Sequence, residues 1–355
     1  MNTADRRNTA RPANSNTGPR HVAVGKTNGR YRLSIDGTEF FVRGAGGSGP
    51  RIDRLAAHGA NSIRTWSTRD GHSVLDAAHK AGLMVLMGIR VGLERHGFDY
   101  DDEAAVAAQL DRITGEVLGL KNHPALLGWG IGNELNLNAT NPAVWSAVNG
   151  IARRIHDVDG NHPTTTMLAG VRKETVADIQ ERAPDLDFLS VQMYGTVGSA
   201  KERIAAAGYD GPYLITEWGA TGHWEVPCTE WGAPVEQTSS EKADAIVERY
   251  RQAIEGDAER CMGSYVFLWG QKQERTPTWY GLFTEDGKET EAIDAMHFVW
   301  TGAWPAHRAP RLTGVSIDGK GRYDSVRLAT GSRATATLET DATAGPGIDV
   351  HAEVL

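Results

Sequence analysis

The chain has 355 residues, of which 40% are hydrophobic and 23% charged, an ordinary composition for a globular protein. Its net charge of −8 argues against nucleic acid or an anionic membrane surface as the main partner. No apolar stretch reaches membrane-spanning length, so membrane insertion is not expected. Residues 1–20 lack the hydrophobic segment of a secretory signal, although a signal removed beforehand would leave no trace. The cellular location and the oligomeric state therefore stay open.

Strand-like and helical segments alternate along most of the chain. Residues 1–30 are predicted to be a disordered leader and lead-in, rich in Asn, Thr, Arg and Pro towards the start. Apolar runs then predict strands at 40–43, 62–66, 84–88, 126–131, 164–168, 188–193, 213–217 and 264–268. Apolar residues spaced three or four apart predict helices at 51–58, 73–80, 103–118, 143–157, 174–182, 200–206, 241–255 and 290–298.

Eight strand–helix units predict an α/β fold, a (β/α)8 TIM barrel over residues 31–305. An open doubly wound sheet is the competing architecture and fits eight units less naturally. Thr238 and Glu241 have the spacing of a capping box, and Pro50 suits a first helical turn. Residues 306–355 are predicted to be a linker and a small β-rich segment, with strands at 312–317, 325–328 and 334–338.

The two cysteines, Cys228 and Cys261, are compatible either with one disulfide or with two reduced thiols. Neither lies in a CxxC pattern, and the chain has no HExxH, phosphate-loop or Gly-x-Ser-x-Gly motif. We therefore predict no metal and no cofactor.

Two apolar runs that end on glutamate carry most of the functional information. One run over 127–132 leads to Asn133 and Glu134, and another over 213–216 leads to Glu217 and Trp218. Only the end of a buried strand can present a carboxylate to a substrate, and two such glutamates supply the proton donor and the nucleophile of a retaining sugar hydrolase. Strand-end carboxylates held in ion pairs are the alternative.

Residues at the carboxyl ends of parallel barrel strands converge on one face, although they are distant in sequence. This rule brings together six polar or aromatic side chains that end predicted strands. They are Arg64, Asn133, Glu134, Tyr194, Glu217 and Trp269. Arg64 could instead be a structural ion-pair partner, and Tyr194 and Trp269 could be packing at the rim of the barrel.

These motifs resemble the clan A retaining glycoside hydrolases, which include families 2 and 5. The Asn-His-Pro segment at 122–124, ahead of Asn133 and Glu134, is especially similar to family 2. The resemblance spans roughly 31–304, and its specificity lies in the two glutamate motifs, because the barrel itself hosts many chemistries.

The resemblance implies a role for each of these residues. Glu134 would be the general acid and then the general base, with a raised pKa, and Glu217 would be the nucleophile. Arg64 and the Tyr194 hydroxyl would orient Glu217. Asn133 would bind the sugar 2-hydroxyl, and Trp269 would form the floor of the subsite.

Two loops after strands seven and eight are predicted to contact the glycan. The segment 219–240 contains Trp224 and Trp231, whose indoles could flank a sugar or simply anchor the loop. Gln271 belongs to the loop after the eighth strand, and His72 is a weaker candidate after the second. Gln192 stands where family 5 usually has His, and the thirty residues ahead of the predicted barrel are expected to be too few for the β-sandwich domains usual in family 2.

The expected partner is a β-linked oligo- or polysaccharide, with a β-glucan type as the first guess. A transglycosylase would use the same covalent intermediate, and a non-catalytic carbohydrate-binding barrel is a further alternative. Residues 44–49 match GxGxxG after a strand, which would suit an oxidoreductase with NADP held by Arg64. A flexible loop at the mouth of the barrel is the preferred interpretation of that segment.

Overall fold

Eight parallel strands close on one another to form a barrel. The computed structural model describes residues 18–47, 49 and 51–341, so most of the predicted leader, Ser48 and Pro50 lie outside the described residues. The barrel strands are β4 (Val42–Gly46), β5 (Ser62–Arg64), β6 (Met84–Ile89), β7 (Leu126–Asn133), β8 (Thr164–Ala169), β9 (Phe188–Gln192), β10 (Tyr213–Glu217) and β11 (Cys261–Val266). Their order is sequential, with β11 pairing back to β4, and the predicted TIM barrel is confirmed.

Helices follow the barrel strands along the chain. They are α1 (Ile52–Ala57), α2 (Gly71–Lys80), α3 (Glu103–Leu120), α4 (Ala143–Val158), α5 (Lys173–Arg182), α6 (Ala200–Ala206), α7 (Ser239–Arg249) and α8 (Glu291–Thr301). The predicted capping box of Thr238 and Glu241 is present at the start of α7. Buried apolar residues of strands and helices form one continuous core between the two layers.

The barrel strands that differ most from prediction contain glycine. The first barrel strand runs over Val42–Gly46 rather than 40–43, so it includes Gly44 and Gly46. Gly44 is required in the strand because the ring of Tyr265 packs directly against its Cα atom. A Cβ atom at Gly44 would lie 2.4 Å from that ring. The last strand, Cys261–Val266, begins before the predicted 264–268 and stops short of Phe267. A close interior contact therefore outweighs the low strand propensity of glycine.

A three-stranded antiparallel sheet precedes the barrel and was not predicted. It comprises β1 (Val22–Thr27), β2 (Arg30–Ile35) and β3 (Thr38–Phe40). Val22 donates its N–H to the carbonyl of Asn161, which lies just before β8. Leu33 packs with barrel residues such as Leu86. The sheet thus covers the amino-terminal end of the barrel and leaves the opposite face free.

A second antiparallel sheet follows the barrel. Its strands are β12 (Leu312–Ile317), β13 (Lys320–Gly321) and β14 (Ala336–Thr340). The strand predicted at 325–328 is wrong, because that segment lacks regular structure and pairs with no other strand. The sheet is attached to α7 by an ion pair of Arg322 with Glu241 and by the Leu312 N–H, which donates to the Ser240 hydroxyl at 2.7 Å. The division of the chain into domains at 31–305 and 306–355 stays a prediction.

Cys228 is exposed, Cys261 is buried, and both are free thiols. None of the helices within the described ranges is long and apolar enough to cross a membrane.

Candidate active site

The carboxyl ends of the barrel strands surround a cavity of about 970 Å³. Both glutamates of the sequence motifs line this cavity. The lining residues are Trp66, Asn133, Glu134, Leu137, Ala169, Gly170, Gln192, Met193, Tyr194, Thr196, Glu217, Trp224, Glu225, Phe267, Leu268, Gln271, Lys272, Glu274 and Tyr280. The size is that of a site for a small molecule or a sugar unit.

The carboxylate of Glu217, at the end of β10, accepts hydrogen bonds from four side chains. Oε1 accepts from the Trp66 indole N–H at 2.8 Å, the Arg64 guanidinium at 2.9 Å and the Gln192 amide at 3.0 Å. Oε2 accepts from the Tyr194 hydroxyl at 2.9 Å. Because every partner donates, the site is built to hold a carboxylate in one orientation.

Tyr194 is kept in its donor form. Burial, and then the negative charge of Glu217, raise the pKa of the Tyr194 hydroxyl well above its ordinary value. The phenol therefore keeps its proton across the pH range in which proteins work.

Glu134 lies one residue beyond β7, where the backbone takes a positive φ of 52°. Its N–H donates to the carbonyl of Met167 at 2.9 Å, and its own carbonyl accepts from Arg95. These backbone contacts hold the turn that directs the side chain into the cavity. Burial, and then the charge of Glu217, raise the pKa of the Glu134 carboxyl.

Asn133 is fixed through its side-chain oxygen. Oδ1 accepts from Arg64 and, at 2.7 Å, from the Gln192 amide. The amide nitrogen of Asn133 is consequently left to donate to a ligand in the cavity.

Trp269 does not form the floor of the cavity, and this prediction is wrong. Its side chain is buried beside the barrel, where its N–H donates to the carbonyl of Arg51 at 2.8 Å and its ring contacts Phe283 and Trp300. Strand β11 ends at Val266, so the aromatic residue that reaches the cavity is Phe267.

The predicted rim residues separate into two groups. Trp224 and Gln271 line the cavity. Trp231 does not, because it stacks on the surface with the guanidinium of Arg327 at 5.1 Å, and that prediction is wrong. His72 is also outside the cavity: it belongs to the first turn of α2 and borders a separate groove near Glu116.

Sequence reasoning also missed Trp66, Gln192 and Lys272 as residues of the cavity. Trp66 follows Arg64 by two residues and thus lies on the same side of the extended chain, a signal that could have identified it. Gln192 was noticed only as a departure from family 5. Lys272 has no such signal, because its place depends on the path of the loop after β11.

The described ranges contain no group of three or more His, Cys, Asp or Glu side chains that could hold a metal ion. Two of the four carboxyl groups that line the cavity differ sharply in their surroundings: Glu217 accepts four hydrogen bonds, and Glu134 has a raised pKa. Together with the fold, this arrangement is similar to that of the clan A glycoside hydrolase barrels.

Comparison with known proteins agrees with that class. Residues 52–223 match the family model for the TIM barrel domain of glycosyl hydrolases family 2, which confirms the resemblance seen in the sequence. A search of curated proteins found no match.

Solved structures with a similar fold include two uronidases. A family 2 β-galacturonidase from Eisenbergiella tayi, bound to galacturonate, is 17% identical and has a TM-score of 0.62; the match covers 80% of this chain and 54% of that one. A β-D-glucuronidase from Dictyoglomus thermophilum is also 17% identical with a TM-score of 0.60, and the match covers 81% and 54%.

A β-glucuronidase from Bifidobacterium dentium, complexed with coumarin-3-O-glucuronide, is 18% identical with a TM-score of 0.62 over 80% of this chain and 49% of that one. The chain thus spans about half the length of these solved structures.

Proposed function

We propose that the chain is a retaining glycosidase that acts on β-linked glycosides. The observation that carries the proposal is the contrast between two carboxyl groups in one cavity. Glu217 accepts four hydrogen bonds, and the pKa of Glu134 is raised by burial and by the Glu217 charge. A nucleophile and a proton donor need this difference.

In the first step, Glu134 donates its proton to the leaving oxygen while Glu217 attacks the anomeric carbon and the glycosidic bond breaks. In the second step, water loses a proton to Glu134 and attacks the same carbon, which releases Glu217. The free amide N–H of Asn133 binds the sugar 2-hydroxyl in both steps. The covalent route requires a separation of about 5–5.5 Å between the two carboxyl groups.

The first guess for the substrate is a neutral β-glucan-type oligo- or polysaccharide. Trp224 supports a second outcome, transglycosylation, because this cavity residue is 61% exposed and offers an indole face to an acceptor sugar. Product analysis at high acceptor concentration distinguishes transfer from hydrolysis.

The oxidoreductase alternative loses its main support. Arg64 would have to bind the 2′-phosphate of NADP, but its guanidinium contacts Glu217, Asn133 and the carbonyl of Thr216. It is 1% exposed and so has no face left for a phosphate.

The experiment compares the parent with Glu217→Gln and Glu134→Ala on aryl β-glycosides and β-linked polysaccharides. Glu217→Gln should lose at least about 10⁴-fold in kcat. Glu134→Ala should spare substrates with good leaving groups, and azide should restore part of its rate.

Glu248→Gln, on the exposed side of α7, is the matched control and should behave as the parent. Binding of glycans without turnover would favour the non-catalytic barrel. Retention of most activity by Glu217→Gln would refute the proposed mechanism.

A further inference from the structure

Glu225 is a third carboxylate of the cavity that the proposed reaction does not use. It belongs to the loop after β10, and its Oε2 accepts the backbone N–H of Gly195 at 2.7 Å and that of Gly222 at 2.9 Å. Two backbone donors hold the carboxylate more rigidly than flexible side chains would.

Both donors are glycines, and the close contact depends on that. A Cβ atom at Gly195 would lie 2.9 Å from the carboxyl carbon of Glu225, and one at Gly222 would lie 2.8 Å from its Oε2. A side chain at either position would therefore displace the carboxylate. The two glycines form a cradle for Glu225 in the wall of the cavity.

The position of Glu225 relative to the proposed nucleophile follows from chain connectivity. Tyr194 donates its hydroxyl to Glu217, and the next residue, Gly195, donates its N–H to Glu225. Two consecutive residues thus contact the two carboxylates, one through a side chain and the other through the backbone. A sugar held against Glu217 would meet the wall that contains Glu225.

Glu225 forms no ion pair with the described residues. Within the described part of the chain, no Lys, Arg or His nitrogen lies within 4.0 Å of its carboxylate, and its Oε1 accepts no hydrogen bond. Arg249 donates to the carbonyl of Gly219 and to the Thr221 hydroxyl, and its charge acts on Glu225 from beyond ion-pair distance. Oε1 is thus available to a ligand.

The other charges of the cavity do not offset this carboxylate. The lining includes four glutamates and a single cation, Lys272, among the described residues. Lys272 forms an ion pair with Glu274 and lies 5.6 Å from the ring of Phe267. A ligand carboxylate would have to separate that ion pair in order to find a positive partner.

We propose, on the basis of the glycosidase activity proposed above, that Glu225 determines substrate specificity. Its free Oε1 accepts hydrogen bonds from the hydroxyl groups of a neutral sugar, and its charge excludes sugars that carry a C6 carboxylate. This chain would therefore reject the uronides named for the solved structures of similar fold and select uncharged β-glycosides.

The test is a matched pair of substrates on the full chain. Initial rates are measured with 4-nitrophenyl β-glucoside and β-glucuronide, and with the corresponding galactoside and galacturonide. The parent should prefer the neutral member by at least about 100-fold in kcat/KM, because like charges brought together are strongly unfavourable. Glu225→Gln keeps an acceptor for both glycine N–H groups and removes the charge. The ratio of kcat/KM for the neutral glycoside to that for the uronide should therefore fall at least about tenfold.

Glu230→Gln is the control for the charge change. Glu230 is in the same loop but lies exposed on the surface, 3.4 Å from Arg327 and outside the cavity. This variant should keep the parent's substrate preference. A parent that cleaves the uronide as well as the neutral glycoside, or a Glu225→Gln variant with the parent's preference, would overturn the proposal.

A binding measurement distinguishes an error in the role of Glu225 from an error in the proposed glycosidase activity. The affinities for phenyl 1-thio-β-glucoside and phenyl 1-thio-β-glucuronide are measured by calorimetry, since neither ligand requires turnover. We expect the parent to bind only the neutral ligand and Glu225→Gln to gain affinity for the uronide. Equal affinities in the parent, or no binding of either ligand, would refute the role of Glu225 even where no hydrolysis is detected.

Discussion

The guanidinium of Arg64 lies 2.9 Å from Oε1 of Glu217, and the two side chains are only 1% and 7% exposed. Burying either charge costs free energy of desolvation, and each of the two charges compensates that cost for the other. The same guanidinium holds Asn133, which ties the ends of β5, β7 and β10 together beneath the cavity.

Arg64→Met should therefore destabilise the protein by about 3–5 kcal/mol, because it leaves a buried carboxylate without its cation. The free energy of unfolding from urea denaturation checks this value. The double variant Arg64→Met, Glu217→Gln should recover part of the loss, since no charge then remains to be compensated. A loss below about 1 kcal/mol in the single variant would show that the ion pair does not stabilise the fold.

The raised pKa of Glu134 predicts a pH dependence of both activity and stability. The proposed proton donor is lost as the pH rises through this pKa, so kcat/KM should fall on the alkaline side at a pH above the ordinary glutamate value. The folded state binds the proton more tightly than the unfolded state, so stability should also decrease across that window.

Glu134→Gln cannot lose this proton, and its stability should not decrease there. The stabilities of the parent and of Glu134→Gln should differ least below the pKa of a glutamate in the unfolded chain, at about pH 4. Thermal unfolding of both from pH 4 to pH 9 is the measurement. Parallel curves would contradict the assigned direction of the shift.

Trp66→Phe removes the indole N–H from Oε1 of Glu217 and keeps most of the ring. A hydrogen bond to a charged group contributes about 1.5–3 kcal/mol, so kcat/KM should fall about 10- to 100-fold. Trp231→Phe is the matched control, because that indole lies outside the cavity. Equal effects of the two variants would rule out a specific role for Trp66.

Trp269 and Trp224 should respond in opposite ways to replacement by alanine. Trp269→Ala should cost about 3–5 kcal/mol of stability, because it empties a buried site between Phe283 and Trp300. Trp224→Ala should change stability by less than about 0.5 kcal/mol and raise KM about two- to tenfold. Denaturation and steady-state kinetics on both variants test this, and a raised KM with full stability in Trp269→Ala would restore the original prediction.

Much of the barrel follows from local pattern alone. A strand buried on both faces needs an uninterrupted apolar run, so Met84–Ile89 and Tyr213–Glu217 were recognisable within one residue. The capping box at Thr238 is also a local pattern, because its two partners, Thr238 and Glu241, are only three residues apart. The sheet of 22–40 lacked such a pattern, because its strands are short and half exposed.

The sequence by itself also determined which two glutamates stand at the carboxyl ends of barrel strands. In a closed parallel barrel all these ends lie on one face, so the two side chains meet there. Only the tertiary structure decided which aromatic residue faces the cavity. Phe267 lies there and Trp269 does not, because the choice depends on where β11 stops pairing and on how the next loop packs against Arg51 and Phe283. The cradle of Glu225 is likewise a tertiary feature, since Gly195 and Gly222 come from loops after different strands and meet at one carboxylate only when the barrel closes.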